Sequence, residues 1–354
     1  MKLTAFSLPL ARPLETARGE ITEREGFVVT LDPESDEVPA RGVGEATPLP
    51  GWTESLSACR TALEQRAAGE NDTGPHLNPG IPASDAPAAR HGVSLALMDA
   101  TARSDGVPLS TILASEAGFP SPAETVPVNA TVGDDSAVAT ATAALSAVES
   151  GYHAVKVKVG ARALDEDVER LRAVRDAVGE NVRIRADVNG AWDRETARRA
   201  LPKLAAVDVA YVEQPLEADD LAGHAMLRAE SSVDVALDET LAQVDVETVL
   251  DADAADVLVL KPMALGGPDR AVEAARAATE ADVEPVVTTT IDAVVARTAA
   301  VHVAAAIPEV RACGLATGDM LASDLASDPA PIEGGSIDVP EGPGIAGTAF
   351  DEVS

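Results

Sequence analysis

"AVKVKVGARALDEDVERLRAVRDAVGENVRIRADVNG" (residues 154–190) places two short β-branched runs on either side of a stretch with apolar residues at helical spacing. Such a strand–helix–strand unit predicts parallel neighbours in a sheet. The alternation extends in both directions, through "TVPVNATV" (125–132), "VAYVEQP" (209–215), "VDVALDE" (233–239), "DVLVLKP" (256–262), "EPVVTTTID" (284–292) and "VRACGLAT" (310–317). Eight runs starting 23 to 29 residues apart fit an α/β chain closed as a (β/α)8-type barrel better than an open sheet.

A different pattern precedes the barrel. "GFVVTLD" (26–32) and "GVGEATPL" (42–49) predict antiparallel strands, and "ESLSACRTALEQRAAG" (54–69) and "HGVSLALMDATARSDG" (91–106) predict helices, together an α+β module. Residues 69–90 form a Gly/Pro-rich loop. The tail "GGSIDVPEGPGIAG" (334–347) has strand and turn chemistry and is expected to return to the first module. The expected division is therefore 1–124, completed by 320–354, and a barrel over 125–319.

Composition bounds the partners. The chain of 354 residues carries a formal charge of −32, which repels nucleic acid and anionic membrane. Scarce lysine beside surplus Asp and Glu suggests a surface adapted to concentrated salt, where repulsion is screened over roughly 3 Å at 1 M. Cys59 and Cys313 have no metal or disulfide spacing and are expected as buried thiols. No stretch has the length and apolarity of a signal peptide or of a membrane span of about 18 residues. The expectation is a soluble cytoplasmic protein with no nucleic-acid or membrane partner, acting alone or as a homo-oligomer.

Only five lysines occur, Lys2, Lys156, Lys158, Lys203 and Lys261, and three of them fall in the barrel runs. Strand alternation puts Lys156 and Lys158 on one face and Val155, Val157 and Val159 on the other. Because the outer face of a barrel strand meets helices, the lysines point inward. Arg185, Asp187 and Asn189 share an inward face by the same rule. Glu213, Asp238 and Lys261 end the following runs, at the rim where barrel enzymes gather their chemistry. Any one of these residues alone reads as a helix cap or a solvated strand end. Three carboxylates from successive strands, Asp187, Glu213 and Asp238, together call for a hard divalent cation, and without His or Cys among them Mg²⁺ is preferred to Zn²⁺. The five histidines (His76, His91, His153, His224, His302) show no metal spacing and are expected to be structural.

"KVKVG", "ADVNGAW", "VEQP", "LDE" and "LKP", in this order, resemble the enolase superfamily and its muconate-lactonizing subgroup. The resemblance spans the chain: "TARGEITEREG" (16–26) is similar to the family's substrate loop and "DVPEGPGIAG" to its C-terminal return. It implies a modified (β/α)7β barrel with an α+β capping domain. It also implies Mg²⁺, with Mn²⁺ as substitute, on Asp187, Glu213 and Asp238, and catalysis by Lys158 and Lys261 with Lys156, Asn189 and Glu239 in support. A small-molecule carboxylate is the implied substrate, deprotonated at its α carbon to an enediolate. Thr16, Arg18, Thr289, Thr290, Ile291, Gly314 and Leu315 are its expected contacts.

Within the subgroup, "CGLATGDML" (313–321) lacks the Asp-x-Asp pair typical of epimerases and resembles the o-succinylbenzoate synthase branch. Dipeptide epimerase, N-succinylamino acid racemase and muconate cycloisomerase remain alternatives, with Asp319 as an ammonium partner. Asp292 and Ala296 depart from the Glu and Gly more usual there. A Schiff-base lyase, or a binding protein on the same barrel, is the remote alternative.

Overall fold

The computed structural model describes residues 1–16, 19–33, 38–69 and 78–353. The N-terminal module opens with three antiparallel strands, β1 (Lys2–Thr16), β2 (Gly19–Leu31) and β3 (Gly42–Ala46), in that spatial order. Against them lie the helices α1 (Leu56–Ala67), α2 (Pro87–Asp105) and α3 (Leu109–Ala117). The helix expected over 91–106 is α2; it stops at Gly106, whose left-handed φ of +72° closes the helix.

β1 was not among the expected strands. Pro9 and Pro13 lie within it, and the strand tolerates them because it is an edge strand whose register with β2 breaks between Pro9 and Leu14.

The run 125–132 serves two sheets rather than one. β4 (Thr125–Pro127) pairs with the C-terminal hairpin, whereas β5 (Ala130–Val132) begins the barrel. α4 (Ala137–Glu149), β6 (Ala154–Lys158), α5 (Leu164–Val178), β7 (Arg183–Asp187), α6 (Arg194–Ala205), β8 (Val209–Glu213), α7 (Leu221–Glu230) and β9 (Asp234–Leu237) follow. The series continues with α8 (Val246–Asp251), β10 (Val257–Leu260), α9 (Pro262–Leu265), α10 (Pro268–Glu280), β11 (Glu284–Val287) and α11 (Val294–Ala306). β5 to β11 form one parallel sheet in sequence order. The eighth run joins through isolated bridges instead of a continuous ladder. Cys313 N–H donates to Pro127 O (2.8 Å), and Gly314 N–H donates to Val287 O (2.9 Å), so the backbone at 313–314 closes the gap between the first and seventh strands.

Val155, Val157, Ile184, Ala186 and Val212 turn outward and are buried in the core under the helices. Inside the barrel, buried Arg185 donates to Asn129 Oδ1 (2.8 Å) and Ala312 O (2.6 Å), and lies over the Tyr211 ring at 4.8 Å, forming a floor below the carboxylates. The hairpin β12 (Ile332–Glu333) and β13 (Ser336–Asp338) pairs with β4. Beyond it, Ile345 N–H donates to Asp99 of α2. Both cysteines are free and buried. Among the described residues no helix is long and apolar enough to cross a membrane.

Candidate active site

Lys158 pairs in register with Asp187, and Asp187 with Glu213, so the ends of β6, β7 and β8 stand level. The lysines thread between the carboxylates. Lys156 Nζ bridges Asp187 Oδ2 (2.9 Å) and Glu213 Oε1 (2.8 Å); Lys158 Nζ donates to Asp187 Oδ2 (2.8 Å) and Asn189 Oδ1 (2.7 Å). Across the mouth, Lys261 Nζ donates to Asp238 Oδ2 (2.7 Å). The β6 and β10 strand ends are separated by β7, β8 and β9, so Lys158 and Lys261 rise from opposite walls.

Burial differs among the three. The Lys158 side chain is 37% exposed, against 16% for Lys156 and 10% for Lys261. Burial alone would lower the pKa of Lys156, but Glu213 and Asp187 outweigh it and raise it well above the ordinary value. Lys156 is thus a fixed positive charge beside the more accessible Lys158.

The carboxylates are not equally compensated. Burial pushes the Asp187 carboxyl up, yet two lysines pull it below the usual range. Glu213 shares one lysine with Asp187 and is fully buried; its desolvation and the Asp187 charge raise its pKa. Asp238 is also raised by burial and by Glu239, against the pull of Lys261. Glu213 Oε2, Asp238 Oδ1 and Glu239 Oε2 are buried without a hydrogen-bond partner. Among the described residues no three acidic, His or Cys groups stand together as a ready-made metal cage; one oxygen each of Asp187, Glu213 and Asp238 is paired with a lysine ammonium.

Supporting groups fix this rim. Asn189 sits at φ +49°, accepts from Lys158 and donates to Glu239 Oε1 (2.8 Å). Gln214, at φ +43° and fully buried, accepts at Oε1 from the N–H of Asp238 (3.0 Å) and of Thr240 (3.1 Å), and so sets the turn that aims Asp238. Gln214 was not among the expected site residues, although the "EQP" that carries it was in view. Trp52, from the N-terminal module, was also missed; its ring lies 3.1 Å from Lys261 Nζ.

The expected substrate contacts divide. Thr289 and Thr290 are buried past the end of β11; Thr289 Oγ1 meets Thr317 Oγ1 (2.9 Å), and Thr290 Oγ1 donates to Asp292 Oδ1 (2.5 Å). Ile291 is buried at the next turn. At Gly314 any Cβ would stand 2.7 Å from Thr288 Oγ1, on a stiff β-branched side chain, so this position excludes a side chain. Leu315 borders a cavity of about 550 Å³ at the barrel seam, along with Tyr152, Arg297 and Asp319; none of the rim lysines or carboxylates lines it. Thr16 ends β1, and Arg18 lies outside the described residues.

A closed barrel whose strand ends collect three carboxylates and three lysines defines an enzyme of acid–base chemistry at a TIM-barrel rim. Residues 139–353 match the family model described as "Enolase C-terminal domain-like", and the chain belongs to that family, within the muconate-lactonizing subgroup of the enolase superfamily. It is 44% identical over 228 residues to an o-succinylbenzoate synthase of Thermobifida fusca, covering 62% of this chain and 69% of that one. Among solved structures it is similar to a substrate-liganded L-Ala-D/L-Glu epimerase from Bacillus subtilis (TM-score 0.84, 26% identity, 98% and 97% coverage). It is equally similar to a dipeptide epimerase from Enterococcus faecalis complexed with Mg and L-Leu-L-Tyr (TM-score 0.84, 25% identity, 98% of each chain).

Proposed function

We propose that this enzyme is an o-succinylbenzoate synthase, which dehydrates 2-succinyl-6-hydroxy-2,4-cyclohexadiene-1-carboxylate with Mg²⁺ as cofactor. The observation that carries the reading is the eighth strand: position 314 admits no side chain, and Asp319, the acid that an epimerase could use for a substrate ammonium, lines the seam cavity, to which none of the rim lysines contributes. The identity to the Thermobifida fusca synthase supports it.

The residues present fit the cation. Asp187, Glu213 and Asp238 would hold it, and the buried unpartnered oxygens Glu213 Oε2 and Asp238 Oδ1 are the ones that lack a positive partner. Mg in the Enterococcus faecalis epimerase supports the same choice, and Mn²⁺ is expected to substitute. Bound there, Mg²⁺ would stabilise negative charge developing on the substrate carboxylate.

Lys158, as the neutral amine, takes the proton α to the carboxylate. Asn189 Oδ1 accepts from its nitrogen and orients it, while Lys156 holds the Asp187 and Glu213 carboxylates beside it. The proton then passes to the hydroxyl leaving the adjacent ring carbon on the same face. One water departs, and the ring becomes aromatic. Lys261, paired with Asp238 and covered by Trp52, contributes a positive charge on the opposite face rather than a base. Thr16, Arg18, Thr289, Thr290, Ile291 and Gly314 would border the substrate, whereas Leu315 lines the seam cavity together with Asp319. The setting that fits this reaction is menaquinone biosynthesis in the cytoplasm.

The test is turnover of the cyclohexadiene carboxylate beside L-Ala-L-Glu-type dipeptides and N-succinylamino acids in D₂O. The expected result is o-succinylbenzoate from wild type and none from Lys158→Ala. Rapid α-deuteration of a dipeptide without dehydration product would overturn the synthase assignment in favour of epimerisation. Borohydride trapping of a carbonyl substrate on lysine, with activity surviving chelation, would overturn the metal-dependent reading altogether.

A further inference from the structure

Immediately after the seventh barrel strand the chain turns through Ile291, whose φ of +63° lies in the left-handed region. A β-branched side chain resists that conformation, and such outliers persist only where the surroundings over-determine them. Here the restraint comes largely from the N-terminal module. Arg24 of β2, 3% exposed, donates Nε to the Ile291 carbonyl (3.2 Å). Its other nitrogens anchor it within its own module, Nη1 to Pro48 O (3.0 Å) and Nη2 to Thr47 O (2.9 Å).

The far side of the turn is held by a carboxylate. Glu45 of β3, fully buried, accepts from the N–H of Ala293 and of Ala296, both at 2.8 Å, and Thr47 Oγ1 donates to the same carboxylate. α11 has no capping side chain of its own at its N-cap; Glu45, about 250 positions earlier in the chain, takes two N–H groups of its first turn, and Asp324 takes that of Val294 (2.8 Å). The Ile291 side chain packs in a separate apolar cluster with Leu8 and Leu10 of β1, Ala293 and Leu321. All three strands of the N-terminal sheet therefore meet this one corner.

We propose that Arg24 and Glu45 are positioning residues: they hold the strand-seven corner in its strained form, so that seating of the N-terminal sheet sets the wall formed by Thr289, Thr290 and Ile291 against the substrate. The inference rests on the reading of the rim as the catalytic site. A general stabilising role would not predict coupling to the backbone conformation of residue 291; this one does, because glycine adopts φ > 0 without strain.

The test is a double-mutant cycle on steady-state kinetics with the cyclohexadiene carboxylate, using Arg24→Met, Ile291→Gly and both together. Arg24→Met alone is expected to raise KM on the order of tenfold, the scale of one hydrogen bond from a charged donor, with kcat changed less. Added to Ile291→Gly, the same change is expected to raise KM less than about threefold. Equal effects in both backgrounds, or an unchanged KM, would overturn the proposal.

Hydrogen exchange of the free protein provides a readout that needs no substrate. Arg24→Met, or the milder Arg24→Lys, is expected to speed exchange in peptides covering 288–297 while leaving β6 to β8 unchanged. Uniform acceleration throughout the chain, or none at 288–297, counts against it. If wild type fails to turn over the cyclohexadiene carboxylate, the synthase reading fails and exchange alone decides the corner.

Discussion

Lys261 Nζ stands 3.1 Å from the centre of the Trp52 ring, so the lysine on the barrel's sixth strand is covered by an aromatic face from the N-terminal module. With Asp238 Oδ2 at 2.7 Å on its other side, the ammonium is held between a carboxylate and a π face. A cation in that setting gains from both the carboxylate and the face of the ring. Loss of the ring by Trp52→Leu is expected to lower kcat/KM roughly three- to thirtyfold, the span of a partly desolvated cation–π contact, whereas Trp52→Phe retains most activity. Equal activity in wild type and Trp52→Leu would show that the contact has no part in turnover.

Metal binding has its own signature at this pair. The chain contains two tryptophans, so Trp192→Phe leaves Trp52 as the sole indole. Asp238, if it holds Mg²⁺, would share its carboxylate between the cation and Lys261, and the Trp52 emission is expected to change in a saturable titration. Asp238→Asn in the same background should abolish both the emission change and the calorimetric binding. Full activity after exhaustive chelation would sink the metal assignment.

The barrel rim was legible because it obeys a local rule. Period-two alternation with valine on one face fixes the inward direction of Lys156, Lys158 and Asp187, and each strand's last residue marks the mouth. Gln214 was within reach of the same reasoning, since it follows Glu213 directly and turns at positive φ. Trp52, Arg24 and Glu45 were not legible. Their partners Lys261, Ile291 and Ala293 lie more than 200 residues away, and no periodicity encodes how one module docks on another. The eighth run was legible as a run, but its pairing was not, because its backbone is held by bridges at Cys313 and Gly314 rather than by a ladder.

Salt dependence follows from the charge of −32. Many acidic side chains, such as Glu149 and Glu247, are exposed, so mutual repulsion opposes the compact state until counter-ions screen it. The melting temperature is expected to rise as KCl goes from dilute buffer toward molar concentration. Surface ion pairs such as Arg198–Glu230 weaken over the same range, but each contributes little. A flat or falling melting temperature would argue against adaptation to salt.

Acid stability is expected to depend on His302. This fully buried ring accepts the Ser110 N–H at Nδ1 (3.3 Å) and donates from Nε2 to Ile345 O (2.6 Å), tying α11 to α3 and to the C-terminal segment. Burial pushes its pKa down to about 4, because a charged ring would be desolvated and would lose its acceptor at Nδ1. In the unfolded chain an imidazole titrates near about 6.5. Above that value the neutral ring's contribution is fully present. As pH falls from about 6.5 toward 4, the unfolded state binds a proton that the folded state refuses, and stability drops by up to roughly 3 kcal/mol. Glu45, pushed up to about 7 by burial and by the Asp292 charge, contributes the opposite slope, so wild type alone does not isolate the effect. The difference in unfolding free energy between wild type and His302→Gln cancels Glu45 and the other groups. Measured by denaturant titration at fixed high KCl, that difference should shrink by about the same 3 kcal/mol between pH 7.5 and 4. A difference that stays constant across this range would mean that His302 is not held neutral in the folded protein.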